Sequence, residues 1–229
     1  MLNNTLFVIP ARGGSKGIPR KNIRPFCGKP LIYYSIDYAR LFTSDENICV
    51  TTDDDEIIQV VNNYNLDVPF IRPANLAMDT SGTYEVLLHA LAYYEMIGRA
   101  FNKIVLLQPT SPLRNFSHLV EMEKVYSSNI DMVVSVSESK ANPYYNLFEE
   151  NEFGYLIKSK PGNFLRRQDC PKVYEQNGSI YLINVASLKS KTFDEFEKIK
   201  KIIMEPVFSI DIDTSFDWDL AESILKNKK

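Results

Sequence analysis

A glycine-rich, strongly basic segment directly after the first apolar run limits the folds that suit this chain. Phe7-Val8-Ile9 is typical of a buried strand, and the chain then breaks into a loop with three glycines. Six Lys and Arg residues lie between Arg12 and Lys29, and no acidic residue precedes Asp37. Glycines allow backbone N–H groups to turn toward an anion while the cations supply charge. The segment therefore predicts a polyphosphate site at the end of a strand.

The loop differs from the common nucleotide-binding loops. A P-loop requires Gly-Lys-Ser/Thr, whereas Gly17 is followed here by Ile18, and no G-x-G-x-x-G fingerprint is present. A solvated basic connector is the alternative interpretation. The position of the glycines and cations right after an apolar strand favours the polyphosphate site.

Composition limits the class of protein. The 229 residues suffice for one domain with a full core, and the net charge of −3 argues against general affinity for nucleic acid. Cys27, Cys49 and Cys170 are widely spaced and contain no C-x-x-C pair, so we expect reduced thiols. No signal-like segment is visible, and no run reaches the roughly 18 apolar residues of a membrane span. A cytoplasmic protein with no membrane partner is expected.

Apolar runs alternate with helical patterns along the chain. Further strands are expected at residues 48–53, 68–73, 103–107 and 132–137, and helices at residues 29–39, 56–64, 84–97, 117–126 and 216–225. This alternation predicts a three-layer α/β/α fold with a mainly parallel sheet. Because ligands bind outside the carboxyl ends of such strands, Arg12, Asp53 and Gln108 are expected to converge on one crevice.

Two aspartates near the end of the chain suggest a metal site. Ser209-Ile210-Asp211-Ile212-Asp213-Thr214 alternates as in a strand, which places Asp211 and Asp213 on one face. Two close carboxylates repel each other unless a cation or a basic loop lies between them. We therefore predict that Asp211 and Asp213 bind Mg²⁺ (or Mn²⁺), which prefers hard oxygen ligands beside nucleotide phosphates. Capping of the next helix by Asp213 or Thr214 is the alternative.

Five separated motifs, in order, resemble those of one enzyme family. They begin with Ala11-Arg12-Gly13-Gly14-Ser15-Lys16-Gly17-Ile18-Pro19-Arg20-Lys21-Asn22 and continue through the segments 72–83, 106–114, 164–181 and 209–214. Together they are similar to the acylneuraminate cytidylyltransferases, the CMP-nonulosonate synthetases, over about Leu6 to Asp219. These enzymes join CTP to a 2-keto-3-deoxy nonulosonic acid and release pyrophosphate. The resemblance implies a nucleotidyltransferase with a Rossmann-like fold of the nucleotide-diphospho-sugar transferase type.

The resemblance also assigns roles to individual residues. The residues implied in catalysis are Arg12, Lys16, Lys21, Asp211 and Asp213. The residues implied in nucleotide binding are Ala11, Arg12, Gly13, Ser15, Lys16, Asn22, Arg72, Thr80 and Thr83. The hydroxyl groups of Thr80, Ser81 and Thr83 have two possible roles. One of them is expected to cap the third expected helix, and the others are free to contact the nucleobase.

The sugar is expected to contact four residues, namely Gln108, Arg167, Asn177 and Tyr181. Counting back from Asn177-Gly178 without a gap selects Arg167, and not Arg166, as the arginine that holds the sugar carboxylate. A planar guanidinium can bond both oxygens of a carboxylate. No general base is identified.

Residues 142–175 are expected to form an inserted subregion within a single domain of residues 1–229. Asn146 to Ile157 alternates around an Asn-Glu-Phe-Gly turn and predicts a small β-hairpin. Five aromatic residues gather there, namely Tyr144, Tyr145, Phe148, Phe153 and Tyr155. The resemblance implies that this insert forms a homodimer and contributes to sugar binding. Packing of the rings on their own sheet is the alternative.

The sequence leaves the sugar open. Relatives that use sialic acid often carry a lysine or another polar residue after the proline of the insert, whereas this chain has Pro143-Tyr144-Tyr145. N-acetylneuraminate and a bacterial relative such as legionaminate are both kept as substrates. The alternatives are a CMP-Kdo-type or other sugar nucleotidyltransferase, or a catalytically inactive nucleotide-binding relative.

Overall fold

The computed structural model describes residues 2–14, 17–78 and 82–227. The strands are β1 (Thr5–Pro10), β2 (Pro25–Phe26), β3 (Lys29–Pro30), β4 (Ile48–Thr51), β5 (Lys103–Leu107), β6 (Met132–Glu138), β7 (Phe148–Glu150), β8 (Leu156–Lys158), β9 (Tyr174–Asn184) and β10 (Ile199–Ile203). The α-helices are α1 (Leu31–Arg40), α2 (Asp55–Asn62), α3 (Thr83–Met96), α4 (Phe116–Val125), α5 (Val185–Ser190) and α6 (Ser215–Asn227). All five predicted helices are present, close to their expected bounds.

Six strands form the central sheet in the order β10-β6-β9-β5-β1-β4. Neighbouring strands are parallel except β9, which is antiparallel to β5 and β6. Alternate side chains of β1 face opposite layers. Phe7 and Ile9 pack with α1, α2 and α4, whereas Leu6 and Val8 pack with α3 and α5. The predicted three-layer α/β/α fold with a mainly parallel sheet is confirmed. Within the described ranges, no helix is both long and apolar enough to cross a bilayer.

Two of the predicted strands are wrong. Residues 68–73 contribute only a bridge between Thr52 and Ile71, because Pro69 and Pro73 have no N–H group for a strand ladder. Residues 209–214 form irregular chain, in which Ile212 N donates to Thr110 O at 2.8 Å. The predicted alternation still holds in part, since Ile212 is fully buried.

A third apolar cluster joins the two ends of the chain beside the sheet. Its buried members are Ile18, Phe26, Leu31, Leu113, Ile212, Trp218 and Ala221. The rings of Phe26 and Trp218 meet edge to face, with centroids 5.2 Å apart. Because this cluster includes the basic loop, the start of α1 and the face of α6, it fixes residues 209–214 next to the loop.

The insert stands apart from the central sheet. β7 and β8 pair antiparallel, with Phe148 opposite Lys158, which confirms the predicted hairpin. Several large apolar side chains of this region are exposed, namely Tyr145, Leu147, Phe148, Phe153, Tyr155, Leu156, Ile157 and Leu165. The aromatic residues therefore do not all pack on their own sheet, and several apolar side chains of the insert remain accessible.

Candidate active site

A cleft of ≈ 490 Å³ opens at the carboxyl ends of β1 and β5. Pro10 and Arg12 border it on the β1 side, and Gln108, Pro109 and Thr110 border it on the β5 side. The strand order reverses here, because the chain passes from β1 to β4 and then back across β1 to β5. Open α/β sheets bind ligands at such a switch point. Arg12 and Gln108 converge as predicted.

Asp53 lies beside the loop and the entrance of this cleft. Its Oδ1 accepts from Gly13 N at 3.3 Å. With Arg72 and Met78 it borders an adjoining cleft. The carboxylate of Asp53 therefore supports the glycine loop in this structure. It lies next to the cleft on which it was expected to converge with Arg12 and Gln108.

The glycine loop is fixed by contacts that span long stretches of chain. A Cβ atom on Gly13 would lie 2.2 Å from Asp54 Oδ2, so only glycine fits there without a shift. Asp54 caps α2 by accepting from Ile57 N and binds the guanidinium of Arg20 through both oxygens, at 2.6 and 3.0 Å. Arg20 also pairs with Glu56. Although no acidic residue precedes Asp37 in the sequence, Arg20 is therefore neutralised by acidic residues of a distant segment.

Lys21 joins the loop to the segment that carries the two aspartates. Its Nζ donates to Ile212 O at 2.6 Å and to Asp213 Oδ1 at 3.0 Å, and its side chain is 11% exposed. Gly17 permits this approach, since a Cβ atom there would lie 2.2 Å from Asp213 O. The basic loop thus pairs a cation with Asp213 in this structure, as one of the two expectations for the carboxylates allowed.

Asp211 is the buried member of the carboxylate pair. Burial raises its pKa above the usual range, and the charge of Asp213 acts in the same direction, while a hydrogen bond from Thr110 and the charge of Lys21 oppose the shift. Its Oδ1 is buried and has no hydrogen-bond partner within the described ranges. A buried anionic oxygen without a partner, beside a second carboxylate, suits a hard divalent cation. The residues present therefore fit Mg²⁺ or Mn²⁺.

Four of the residues assigned to the nucleotide line the same cleft, namely Arg12, Asn22, Arg72 and Thr83. Asn22 and Arg72 line it, and Asn22 Nδ2 donates to Arg12 O at 3.1 Å, which holds the loop in shape. The buried guanidinium of Arg72 donates to Thr51 O and Oγ1, and burial lowers its pKa. Ala11 is buried and donates its N–H to Thr51 O. Ala11 and Arg72 therefore anchor the cleft wall to β4.

The start of α3 also borders the cleft. Gly82 is the N-cap residue of α3 and Thr83 is its first helical residue, and both line the cleft. Gly82 makes no side-chain cap hydrogen bond. The expectation that one of Thr80, Ser81 and Thr83 caps α3 stays a prediction. Ser15, Lys16, Thr80 and Ser81 lie outside the described residues.

The residues assigned to the sugar are divided between two places. Tyr181 lies near Asp211, whose charge adds to burial in raising the pKa of the phenol. Arg167 is exposed, donates to Ser139 O at 3.4 Å, and lines a separate cleft of ≈ 410 Å³ at the base of the insert. Asn177 is buried among internal partners. The structure thus brings Gln108 to the main cleft, and leaves Arg167, Asn177 and Tyr181 outside its lining.

Arg114 is a structural residue at the end of the third motif, and the sequence assigned it no role. Its guanidinium donates to Ser179 O, Gln108 O and Ser35 Oγ, and burial lowers its pKa to about 10. It thereby ties the turn after β5 to β9 and α1. An arginine between a proline-rich turn and a helix start was the available signal, but Ser35 and Ser179, two of its three partners, are distant in sequence.

In this fold, a cleft at the switch point of the sheet lies between a glycine-rich basic loop and two carboxylates. This combination defines a nucleotide-binding α/β protein of the nucleotidyltransferase class. A family model described as cytidylyltransferase matches residues 6–228. The chain belongs to the cytidylyltransferase family, which confirms the resemblance seen in its motifs and the enzyme class that it implies.

Similar proteins agree with this assignment. The chain is 36% identical to CMP-N,N'-diacetyllegionaminic acid synthase of Legionella pneumophila, over 96% of each chain. It is 32% identical to post-translational flagellin modification protein B of Campylobacter coli, over 99% of this chain and 97% of the other. Among solved structures, a CMP:2-keto-3-deoxy-manno-octonic acid synthetase complexed with CTP matches with a TM-score of 0.69 at 17% identity, over 99% of this chain and 100% of the other. This likeness concerns the fold.

Proposed function

We propose that this protein transfers the cytidylyl group of CTP to a nonulosonic acid, which gives the CMP-sugar and pyrophosphate. A hydroxyl oxygen of the sugar forms a bond to the α-phosphorus, the bond from that phosphorus to the leaving pyrophosphate breaks, and the hydroxyl loses its proton. The contact of Lys21 Nζ with Asp213 Oδ1 and Ile212 O carries this proposal, because it unites the two halves of the expected site in one cleft.

Charge determines the proposed roles. Arg12, Lys16 and Lys21 hold the β- and γ-phosphates and offset the negative charge that develops on the leaving group. Asn22, Arg72, Thr80 and Thr83 surround the nucleoside, with backbone groups of Ala11, Gly13 and Ser15 beside the phosphates. Gln108, Arg167 and Tyr181 contact the sugar. Asn177 was also predicted to contact it, and that contact stays a prediction.

A divalent cation completes the proposed site. Asp211 and Asp213 would hold Mg²⁺ (or Mn²⁺), since both carboxylates are hard ligands and the buried Oδ1 of Asp211 has no partner among the described residues. When bound, the ion polarises phosphate oxygens and lowers the pKa of a coordinated hydroxyl. Lys21 then remains beside the carboxylates as the cation of the loop.

The name of the Legionella relative favours a diacetylated nonulosonic acid of the legionaminate type as the substrate. Pyrophosphate release can be measured with CTP, Mg²⁺ and one sugar acid at a time. The acids compared are the legionaminate-type acid, N-acetylneuraminate and Kdo. We expect release with a nonulosonic acid and none with CTP alone. Release from UTP or GTP with a hexose phosphate, or no release with any acid, would contradict the proposed reaction.

Replacing Arg167 by alanine is expected to raise KM for the sugar acid by about tenfold or more, with little change in KM for CTP. The reason is the loss of a bidentate, charge-assisted contact to one carboxylate, worth roughly 1.5–3 kcal/mol. Steady-state kinetics with each substrate varied in turn measures both constants.

Arg166 provides the matched control for this substitution. It is the neighbouring exposed arginine, and its guanidinium pairs with Asp169 at 2.9 and 3.1 Å. Arg166→Ala is expected to leave both KM values near those of the unaltered protein. A larger rise in KM for the sugar with Arg166→Ala would reassign the carboxylate contact to that residue.

The exposed apolar surface of the insert supports a homodimer. Contiguous apolar surface is typical of an interface between subunits, and the hairpin presents Phe153, Tyr155 and Leu156 to solvent. We propose that the protein works as a cytoplasmic homodimer joined through this insert. Sedimentation equilibrium that finds only monomer at assay concentrations would contradict it.

A further inference from the structure

Asn177 lies where the central antiparallel strand changes register. Pairing of β9 with β6 shifts between Val134 and Val136, and Gly178 next to this bulge has a φ of +68°. Glycine adopts that left-handed conformation without the cost that a side chain imposes. The bulge therefore turns a short stretch of β9 away from the regular ladder.

The side chain of Asn177 is buried, and the protein satisfies its polar atoms. Its Oδ1 lies 2.7 Å from Ser135 Oγ and accepts from Ser179 N at 3.2 Å. Its Nδ2 donates to Ser209 Oγ at 2.9 Å and approaches Met204 Sδ at 3.4 Å. An amide with both ends bonded in this way fixes the orientation of the groups that it joins.

These contacts lead to the carboxylate of Asp211. Ser209 is two residues before Asp211, on irregular chain that has no strand ladder to hold it. On the other side of the bulge, a Cβ atom on Gly178 would lie 3.4 Å from Asp211 Oδ2, so this backbone forms a wall of the carboxylate's site. Asn177 thus connects the wall to the segment that carries the carboxylate.

We propose that Asn177 is a positioning residue, which acts through Ser209 and the bulge to hold Asp211 in place for a divalent cation. This inference rests on the proposed function, because it takes Asp211 as a metal ligand. Irregular chain relies on such side-chain bonds where a strand would rely on its ladder. Groups that orient metal ligands typically contribute about 10–100-fold to metal affinity or activity.

The positioning role proposed for Asn177 differs from the sugar contact that the motif implies. One experiment distinguishes the two roles. Loss of a sugar contact raises KM for the sugar and leaves metal binding unchanged. Loss of a positioning contact weakens metal binding even when the sugar is absent. The dissociation constant of Mn²⁺, measured by electron paramagnetic resonance with CTP present and the sugar omitted, separates them without turnover. Mn²⁺ with CTP alone is the reference titration.

Asn177→Ala is expected to weaken Mn²⁺ binding by about tenfold or more. Asn184→Ala is the matched control, since Asn184 is equally buried at the other end of β9, where it caps α5 and donates to Ser128 O. That variant loses comparable packing and hydrogen bonds far from Asp211, so its Mn²⁺ affinity should remain that of the unaltered protein. Ser209→Ala tests the same connection with a smaller change, and Ser209→Thr, which keeps the hydroxyl, should restore binding.

Each other outcome overturns a definite part of the argument. If Asn177→Ala and Ser209→Ala bind Mn²⁺ like the unaltered protein, Asn177 does not position the metal ligand. A rise in KM for the sugar with unchanged Mn²⁺ binding would establish the sugar contact in its place. If the unaltered protein itself binds no Mn²⁺ beyond that of CTP, the metal assignment in the proposed function fails, and this inference fails with it.

Discussion

Replacing Asp211 by asparagine is expected to lower kcat by about 10³-fold while leaving the fold intact. The neutral amide oxygen is a much weaker ligand for a hard cation than the buried carboxylate oxygen, which has no hydrogen-bond partner within the described ranges. Loss of about 4 kcal/mol of charge stabilisation in the transition state corresponds to this factor. Initial rates of pyrophosphate release with CTP and a nonulosonic acid measure it.

The stability of the same variant gives an independent check. Because burial raises the pKa of Asp211, the folded protein favours the neutral acid, and the ionised carboxylate lowers stability at pH values above that pKa. Asp211→Asn removes this unfavourable charge, so at pH 7 and without metal the variant should unfold no earlier than the unaltered protein. Its temperature of unfolding can be measured by calorimetry.

Asp219→Asn is the matched control for Asp211→Asn. Asp219 is exposed on α6 and lies outside the lining of the cleft, so its substitution changes the same charge near the same end of the chain. We expect kcat close to that of the unaltered protein. Equal losses for both variants would attribute the effect to net charge, and a normal rate for Asp211→Asn would remove this carboxylate from the mechanism.

The elements that sequence predicted well are those whose signals are local. The strand β1 ends in the glycine loop within a few residues, and the helices show their apolar period and their caps in consecutive positions. Aspartates precede α2, as is typical of an N-cap, and the side chain of Asp54 accepts from Ile57 N. Local patterns also placed Arg12 and Gln108 at one edge of the sheet, because parallel strands share the direction of their carboxyl ends.

The features that sequence did not predict depend on contacts between distant residues. Arg20 looked like an unpaired cation of the loop, because no acidic residue precedes Asp37. Its partner, Asp54, lies 34 residues further along the chain. β9 was missed because its beginning, Glu175 to Gly178, interrupts the apolar alternation of a strand. The interruption coincides with the bulge beside Asp211. The residues that shape the site therefore break the alternation by which the strand would have been predicted.

In the segment that contains Asp211 and Asp213, the sequence predicted one feature correctly and another wrongly. The alternation correctly indicated that Ile212 is buried, and the third apolar cluster contains it. The strand predicted from the same alternation is absent from residues 209–214, where Ile212 N bonds to the turn after β5. Burial of one side chain thus followed from sequence, whereas strand pairing depended on which backbone lay beside it.

Replacing Lys21 by methionine is expected to lower kcat by about 10²–10³-fold and to raise KM for CTP. A preorganised cation at a site of developing charge contributes about this much to catalysis. Methionine keeps most of the buried stem of lysine, and the carboxylate of Asp213 is 72% exposed, so water can solvate it once the ammonium is gone. The fold should therefore persist, as circular dichroism can verify.

Lys29→Met removes a cation from the same basic segment without touching the cleft. Lys29 pairs with Asp37 at the surface and lies outside the cleft lining, so its substitution should leave kcat and KM for CTP unchanged. If Lys21→Met and Lys29→Met reduce the rate equally, the segment attracts CTP only by its overall charge. A selective loss with Lys21→Met locates the effect at the ammonium group that joins the glycine loop to Asp213 and the main chain of Ile212.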